Sequence, residues 1–401
     1  IPEFIDAVSK GEFEEAYNII SQTSSLPAIC GRVCPQEVQC ESKCVRGIKG
    51  SAVSIGAVER FVGDYDLDNA KTAEKPEKIG KRAAIVGSGP AGLTCAVTLL
   101  NAGFDVDIYE SLHRAGGVLV YGIPEFRLPK ELVGKEIDNV IALGANVKTN
   151  EVVGKTVFID ELCSSYDAVF IGSGAGLPMF MNIPGESLNG VLSANEYLTR
   201  INLMGAYKEN CITPVQRGKN VIVVGAGNVA MDAARSAVRM GAQSVTVVYR
   251  RGREEMPARK EEIRHAEEEG VKFRLLANPV RFTGDENGNL VAVECIEMQL
   301  GEPDASGRRR PEPLPGSEFT INADMAIIAL GTSPNPLISR SCPDLKTGRR
   351  GTLETDENLK TSLENVYAGG DAVTGAATVI LAMGAGKKAA ESIISKLSGE
   401  Q

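Results

Sequence analysis

The sequence has no tryptophan, only two histidines (His113 and His265), and aromatic residues make up 5% of its 401 positions. Histidine-led acid–base or nucleophilic chemistry therefore has few candidates. No apolar run approaches the ~20 residues that a membrane-spanning helix needs, so no membrane association is expected. Nothing near the start has the pattern of a signal peptide, and a cytoplasmic location is expected. The first residue is Ile1 rather than Met, so the natural start is expected to be missing. An excess of basic residues is absent as well. The 43 Lys and Arg stand against 52 Asp and Glu, a net charge of −9. That balance argues against a nucleic-acid partner, which would need a clustered basic face.

Glycine is abundant, at 43 residues, above the usual ~7% share, which signals repeated tight turns. The length and the 43% apolar content fit a soluble globular chain of two or three domains. Residues 1–64 carry apolar positions at helical spacing (Phe4, Ile5, Val8; Ala16, Tyr17, Ile19, Ile20), interrupted by a cysteine loop. Residues 65–78 turn polar and read as a linker. An internal duplication follows. KRAAIVGSGPAGLTCAVTLLNAGFDVDIYES (81–111) and KNVIVVGAGNVAMDAARSAVRMGAQSVTVVYRR (219–251) each give a strand, a glycine turn, an amphipathic helix and a second strand. Each is later matched by a closing strand that ends on glycine, DAVFIGSG and DMAIIALGT. The simplest architecture is α/β, with two Rossmann-like dinucleotide-binding domains, one (214–325) inserted in the other (79–213 with 326–401). The Pro/Arg-rich stretch 301–316 reads as an exposed loop.

The first turn, Gly87-Ser88-Gly89-Pro90-Ala91-Gly92, suits a pyrophosphate. Gly87 permits the tight turn, Gly89 the approach of the phosphates, and Gly92 close helix–strand packing. The free N–H groups of the helix start face the anion. Glu110, closing the next strand, is placed to accept from an adenosine ribose. The second turn is Gly225-Ala226-Gly227-Asn228-Val229-Ala230, and its second strand runs into Tyr249-Arg250-Arg251. Arginines there suit a 2′-phosphate and favour NADP(H) over NAD(H), a solvated basic patch being the alternative. Two turns with unlike strand ends imply two unlike dinucleotides, FAD and a nicotinamide. Gly370-Asp371 offers a carboxylate to the flavin, and the helix expected over 376–394 turns its positive end toward it.

Cys30, Cys34, Cys40 and Cys44 crowd together as C-x3-C-P-x4-C-x3-C. Thiolates so spaced suit iron–sulfur or zinc, and the lack of C-x2-C knuckles favours iron–sulfur. No C-x2-C or C-x4-C stands beside either turn, so a dithiol relay has no candidate. Cys95 is expected in the core. His265 and the run Glu267–Glu269 are expected on a solvated face, not in a metal site.

Together, CGRVCPQEVQCESKC, IVGSGPAGL, GGVLVYGIPEFRLPK, VVGAGNVAMDAAR, VVYRRGREEMPAR and NVYAGGDAV resemble the small subunit of NADPH-dependent glutamate synthase. The same module occurs in ferredoxin:NADP oxidoreductase large subunits, in sulfide dehydrogenase-type enzymes and in the N-terminal half of dihydropyrimidine dehydrogenase. The resemblance covers essentially the whole chain. It implies two domains of glutathione reductase/adrenodoxin reductase type, preceded by a helical iron–sulfur domain. It also implies an enzyme passing electrons from NADPH through FAD and [4Fe–4S] clusters to a partner. That partner would be a large amidotransferase-type subunit, a ferredoxin or another acceptor. The oligomeric state stays open. A ferredoxin- or sulfur-linked NADP oxidoreductase and a non-catalytic electron-relay subunit are the competing readings. No side chain need act as acid or base, because hydride transfer is cofactor chemistry.

Residue by residue, the resemblance assigns FAD to Gly87, Gly89, Pro90, Ala91, Gly92, Glu110, Gly117, Leu119, Arg127, Val153, Gly370, Asp371, Thr378 and Val379. It assigns NADP(H) to Gly225, Gly227, Asn228, Val229, Asp232, Arg250 and Arg251. Relatives carry two clusters and a further cysteine group just before the point where this chain begins. By that pattern Cys34 and Cys40 serve one cluster and Cys44 the other, with Cys30 left over. Glu59 matches a position where relatives use an acid or amide as a ligand.

Overall fold

A computed structural model describes residues 1–69, 75–305 and 307–398. The chain forms two compact units. The first comprises 1–120, 125–176 and 333–401, and the second 121–124 and 177–332.

The first unit is built on a five-stranded parallel sheet in the order Val366–Ala368, Ala168–Ile171, Arg82–Val86, Asp105–Glu110, Asn146–Thr149. Its central strand buries Ala83, Ala84, Ile85 and Val86 in succession. Such an unbroken apolar run is what a parallel strand covered on both faces requires. The glycine turn leads from it into the helix Pro90–Asn101, with proline in the first helical turn, where a missing N–H costs nothing. A Cβ on Gly92 would lie 1.9 Å from the Gly87 carbonyl oxygen, so no larger residue lets the helix start so close to the strand. The helix Val379–Ser398 packs on it through Gly386, whose Cβ would meet the Ala91 oxygen at 2.1 Å.

The cysteine-rich segment belongs to the same unit. Helices Pro2–Ser9, Phe13–Ser21, Pro27–Val33 and Ile55–Asn69 enclose Phe4, Ala16, Ile20 and Val62. The last two helices cross at glycines. Cβ atoms on Gly31 and Gly63 would lie 2.4 Å from Arg60 N and 2.3 Å from Ala28 N. Arg32 locks that crossing with two hydrogen bonds to Asp64, at 2.7 and 2.8 Å. The stretch 65–78, expected to be a linker, is helical through Asn69. Residues 70–74 of it lie outside the described residues, and 75–79 have no regular structure.

The second unit repeats the plan. Its parallel sheet runs Val191–Ser193, Met325–Ile328, Asn220–Val224, Ser244–Tyr249, Lys272–Leu275. The boundaries expected at 214 and 325 therefore shift outward. An edge strand precedes the glycine turn, and the strand Met325–Ile328 lies inside this sheet, between that edge strand and Asn220–Val224. A separate antiparallel sheet pairs Leu290–Pro303 with Ala277–Gly284, Arg309–Pro313 and Phe319–Asn322. The 301–316 stretch is thus largely hairpin rather than irregular loop. Among the described residues no helix is long and apolar enough to cross a membrane.

Candidate functional site

At the first turn Gly87 has φ +97°, and its Cβ would meet the Gly172 oxygen at 2.5 Å. A Cβ on Gly89 would meet nothing within 4 Å. The turn is therefore closed on its sheet side and open where a ligand would lie, which fits a pyrophosphate against bare backbone. Glu110 is buried at 4% exposure and has a function visible only in three dimensions. Its carboxylate accepts from the Ser88 N–H (3.1 Å), the Ser88 hydroxyl (2.5 Å) and the Leu112 N–H (2.8 Å). Ser88 Oγ in turn accepts from the Gly116 N–H at 2.9 Å. Glu110, the turn and the Gly116-Gly117 loop are thus one hydrogen-bonded piece.

Of the other first-unit residues, Gly117 and Gly370 approach this turn, where their Cβ atoms would lie 2.9 Å from Gly89 Cα and 3.0 Å from Ala91 Cβ. Leu119 and Val153 are buried, while Gly117, Arg127, Thr378 and Val379 are partly exposed. Asp371 follows Gly370 (φ +66°) and accepts from the Ala377 N–H at 3.1 Å. Burial raises its pKa, and that hydrogen bond opposes the rise. Thr378 Oγ1 accepts from Gln39 Nε2 at 3.2 Å, a tie between the cysteine segment and the start of the last helix that the sequence did not suggest.

In the second unit Gly225 N–H donates to the Val248 carbonyl, as Gly87 N–H donates to that of Tyr109. Sheet register pairs Val224 with Val248 and Val86 with Tyr109. The counterpart of Glu110 is therefore Tyr249. Tyr249 is buried and donates its hydroxyl to the Glu255 carbonyl at 2.8 Å, so a tyrosine rather than a carboxylate closes this strand. Loop 256–259 closes over this turn. Ala258 N–H donates to the Ala226 carbonyl, and Arg259 N–H to Asn228 Oδ1 at 2.9 Å. Val229 is exposed and Asp232 buried.

The two arginines, grouped together from sequence, have different settings. Arg250 is exposed and makes no side-chain hydrogen bond or ion pair among the described residues. Arg251 is 5% exposed, donates from Nε to the Arg309 carbonyl (2.8 Å) and pairs through Nη2 with Asp304 (2.5 Å). The acidic run 267–269 is not simply solvated either. Partial burial works against the charge of Glu269, but hydrogen bonds from Arg239 and Arg235 bring its pKa down to about 2. His265 is partly buried, 4.0 Å from Glu262. His113 is exposed.

All nine cysteines are free thiols. Cys95 is fully buried, as expected. Cys30 and Cys34 are buried neighbours, and Cys30 Sγ donates to Met383 Sδ at 3.4 Å. Cys40 and Cys44 are partly exposed, and Cys44 Sγ accepts from the Val53 N–H at 3.4 Å. Burial raises the Glu59 carboxyl to about 7. Among the described residues no three His, Cys, Asp or Glu side chains converge to hold a metal ion.

Residues 81–386 match the family model described as pyridine nucleotide-disulphide oxidoreductase. The chain belongs to this family. Residues 1–71 match the model for dihydropyrimidine dehydrogenase domain II, 4Fe-4S cluster. Within the family the chain is similar to the glutamate synthase [NADPH] small chain of Azospirillum brasilense. The identity is 39% over 404 residues, 98% of this chain and 83% of that one. It is 40% identical over 422 residues to the NADP(+)-dependent formate dehydrogenase subunit beta of Moorella thermoacetica, spanning 98% of this chain but 58% of the relative. Its fold resembles that of Mycobacterium tuberculosis FprA in complex with NADPH, with a TM-score of 0.68 at 21% identity, covering 80% of this chain and 85% of the other.

Proposed function

We propose that the first unit holds FAD at the Gly87–Gly92 turn and that the second holds NADPH at the Gly225–Ala230 turn. Electrons then pass from NADPH through FAD to a partner protein, in the manner of a glutamate synthase small subunit. The observation that carries this reading is the contrast at one topological position. Glu110 closes the second strand of one sheet, whereas Tyr249 followed by exposed Arg250 closes that of the other. A carboxylate accepts from a bare ribose and repels a 2′-phosphate; a guanidinium does the reverse.

The bound flavin would supply the exchange between two-electron and one-electron chemistry. The protein's own residues bind and orient. Backbone N–H groups at the starts of helices Pro90–Asn101 and Asn228–Arg239 meet the pyrophosphates. Asp371, Thr378 and Val379 stand at the flavin end, with the positive end of the helix Val379–Ser398 favouring negative charge there. Gly117, Leu119, Arg127 and Val153 line the rest. Cys34, Cys40, Cys44 and Glu59 are assigned no step.

The similarity to the Azospirillum small chain supports an amidotransferase-type partner. The similarity to the formate dehydrogenase subunit supports a second reading, delivery to or from another electron-carrying subunit.

The test is an anaerobic absorbance spectrum of the purified chain loaded with FAD, before and after stoichiometric NADPH or NADH. Flavin bands should bleach with NADPH and far less with NADH. Arg250→Ala should raise the KM for NADPH about 10-fold and leave that for NADH nearly unchanged. A flavin indifferent to NADPH would refute the proposal.

A further inference from the structure

The hairpin formed by Leu290–Pro303 and Arg309–Pro313 reaches the strand end where the second dinucleotide would place its adenosine ribose. It does so through Asp304 and Arg309. Its turn is pinned by backbone bonds, Asp304 N–H to Arg308 O and Gly307 N–H to Asp304 O, both 2.8 Å. The carboxylate is thereby held on Arg251 Nη2 at 2.5 Å, while Arg309 contributes its carbonyl to Arg251 Nε. The Arg251 side chain is 7% exposed and that of Asp304 32%. Arg309 is itself anchored, through Nε, to Glu255. Arg251, next to the free Arg250, is therefore already neutralised before any phosphate arrives.

We propose that Asp304 is a specificity-determining residue of this nucleotide site: its carboxylate competes with the 2′-phosphate for Arg251 and so sets how tightly NADP(H) is held relative to NAD(H). The inference rests on the reading of the second turn as the NADP(H) site. A guanidinium has five N–H donors, so geometry alone leaves room for a second acceptor. Charge does not. A 2′-phosphate brought beside Asp304 places two anions around one buried cation, where repulsion is weakly screened. A dinucleotide with a bare 2′-hydroxyl meets no such opposition. The carboxylate thus weakens only the phosphorylated cofactor.

Calorimetric titration of the full chain with NADP+, NAD+ and adenosine 2′-monophosphate tests this, because no flavin turnover is involved. Asp304→Asn keeps an acceptor for Arg251 and removes the charge. It should tighten NADP+ and adenosine 2′-monophosphate about 5-fold and leave NAD+ within about 2-fold. Asp304→Glu should behave as the unmodified chain. Unchanged or weaker binding of adenosine 2′-monophosphate by Asp304→Asn would overturn the proposal, as would equal tightening of NAD+. Hydrogen exchange of the unmodified chain gives an independent readout. NADP+, but not NAD+, should speed exchange of the Asp304 and Gly307 amides as the pair opens, and slower exchange at both would count against it. If the unmodified chain binds neither NADP+ nor adenosine 2′-monophosphate, it is the site reading that fails, before any variant is made.

Discussion

The Ser88 hydroxyl and the Glu110 carboxylate are hydrogen-bonded, joining the middle of a glycine turn to the end of the neighbouring strand. Because Ser88 also holds Gly116 N–H, the carboxylate is fixed before any ligand arrives. Preorganisation of this kind lowers the ordering cost of binding.

Glu110→Ala is therefore expected to weaken FAD binding by ~10–100-fold, the loss typical of a charged hydrogen-bond acceptor. Ser88→Ala should cost less, since Leu112 N–H still holds the acid. Fluorescence titration of the flavin-free chain measures both. Full FAD affinity in Glu110→Ala would remove this residue from the site.

Gly63→Ala should destabilise the first unit by roughly 1–3 kcal/mol, because its Cβ would be driven against Ala28 N at 2.3 Å. Gly134→Ala is the contrast. Nothing lies within 4 Å of its Cβ position in the helix Lys130–Leu143, so it should stabilise by roughly 0.5–1 kcal/mol. Thermal unfolding of both variants beside the parent chain decides. Equal shifts would contradict the close helix crossing.

Glu136 sets a pH dependence. Burial first, then the nearby Asp66 and Asp64, raise its pKa to about 8, with Arg32 opposing. Tyr17 also faces it, its own pKa raised by burial and by Asp66 and Glu136. The folded chain holds a proton that the unfolded chain releases near 4.5. The stabilising contribution is thus complete below about pH 4.5 and is lost as pH rises through about 8. Urea midpoints across this range should fall with pH, and Glu136→Gln should flatten the fall. An unaltered slope would place the titration elsewhere.

Much of this was legible in the sequence because it is local. Two βαβ units, their glycine turns and Glu110 each declare themselves within about thirty residues. What was not legible depends on distant partners. Val191–Ser193 is too short to announce a strand, so the second unit appeared to start at 214 rather than 177. Adjacent arginines look equivalent, yet Asp304 and Arg309 withdraw Arg251 and leave Arg250. Spacing among the cysteines spoke for a cluster, in line with the 4Fe-4S domain model that residues 1–71 match, but that Cys30 packs on Met383 and Cys44 Sγ accepts from Val53 N–H could not be read from it. Nothing local to the glycine motif marks Ser88 as the link between Glu110 and Gly116, because both partners lie at least 22 residues away in the chain.

On the proposed assignment, the shared strand order of the two sheets creates a sorting problem. FAD and NADP(H) are both adenine dinucleotides, and nearly the same cradle is offered twice. Misloading of one cradle by the other's occupant is opposed by a single step along the second strand: carboxylate in one unit, tyrosine then arginine in the other. A copied scaffold can thus hold two coenzymes apart with a change of charge across two adjacent positions, leaving the backbone that grips their common half untouched.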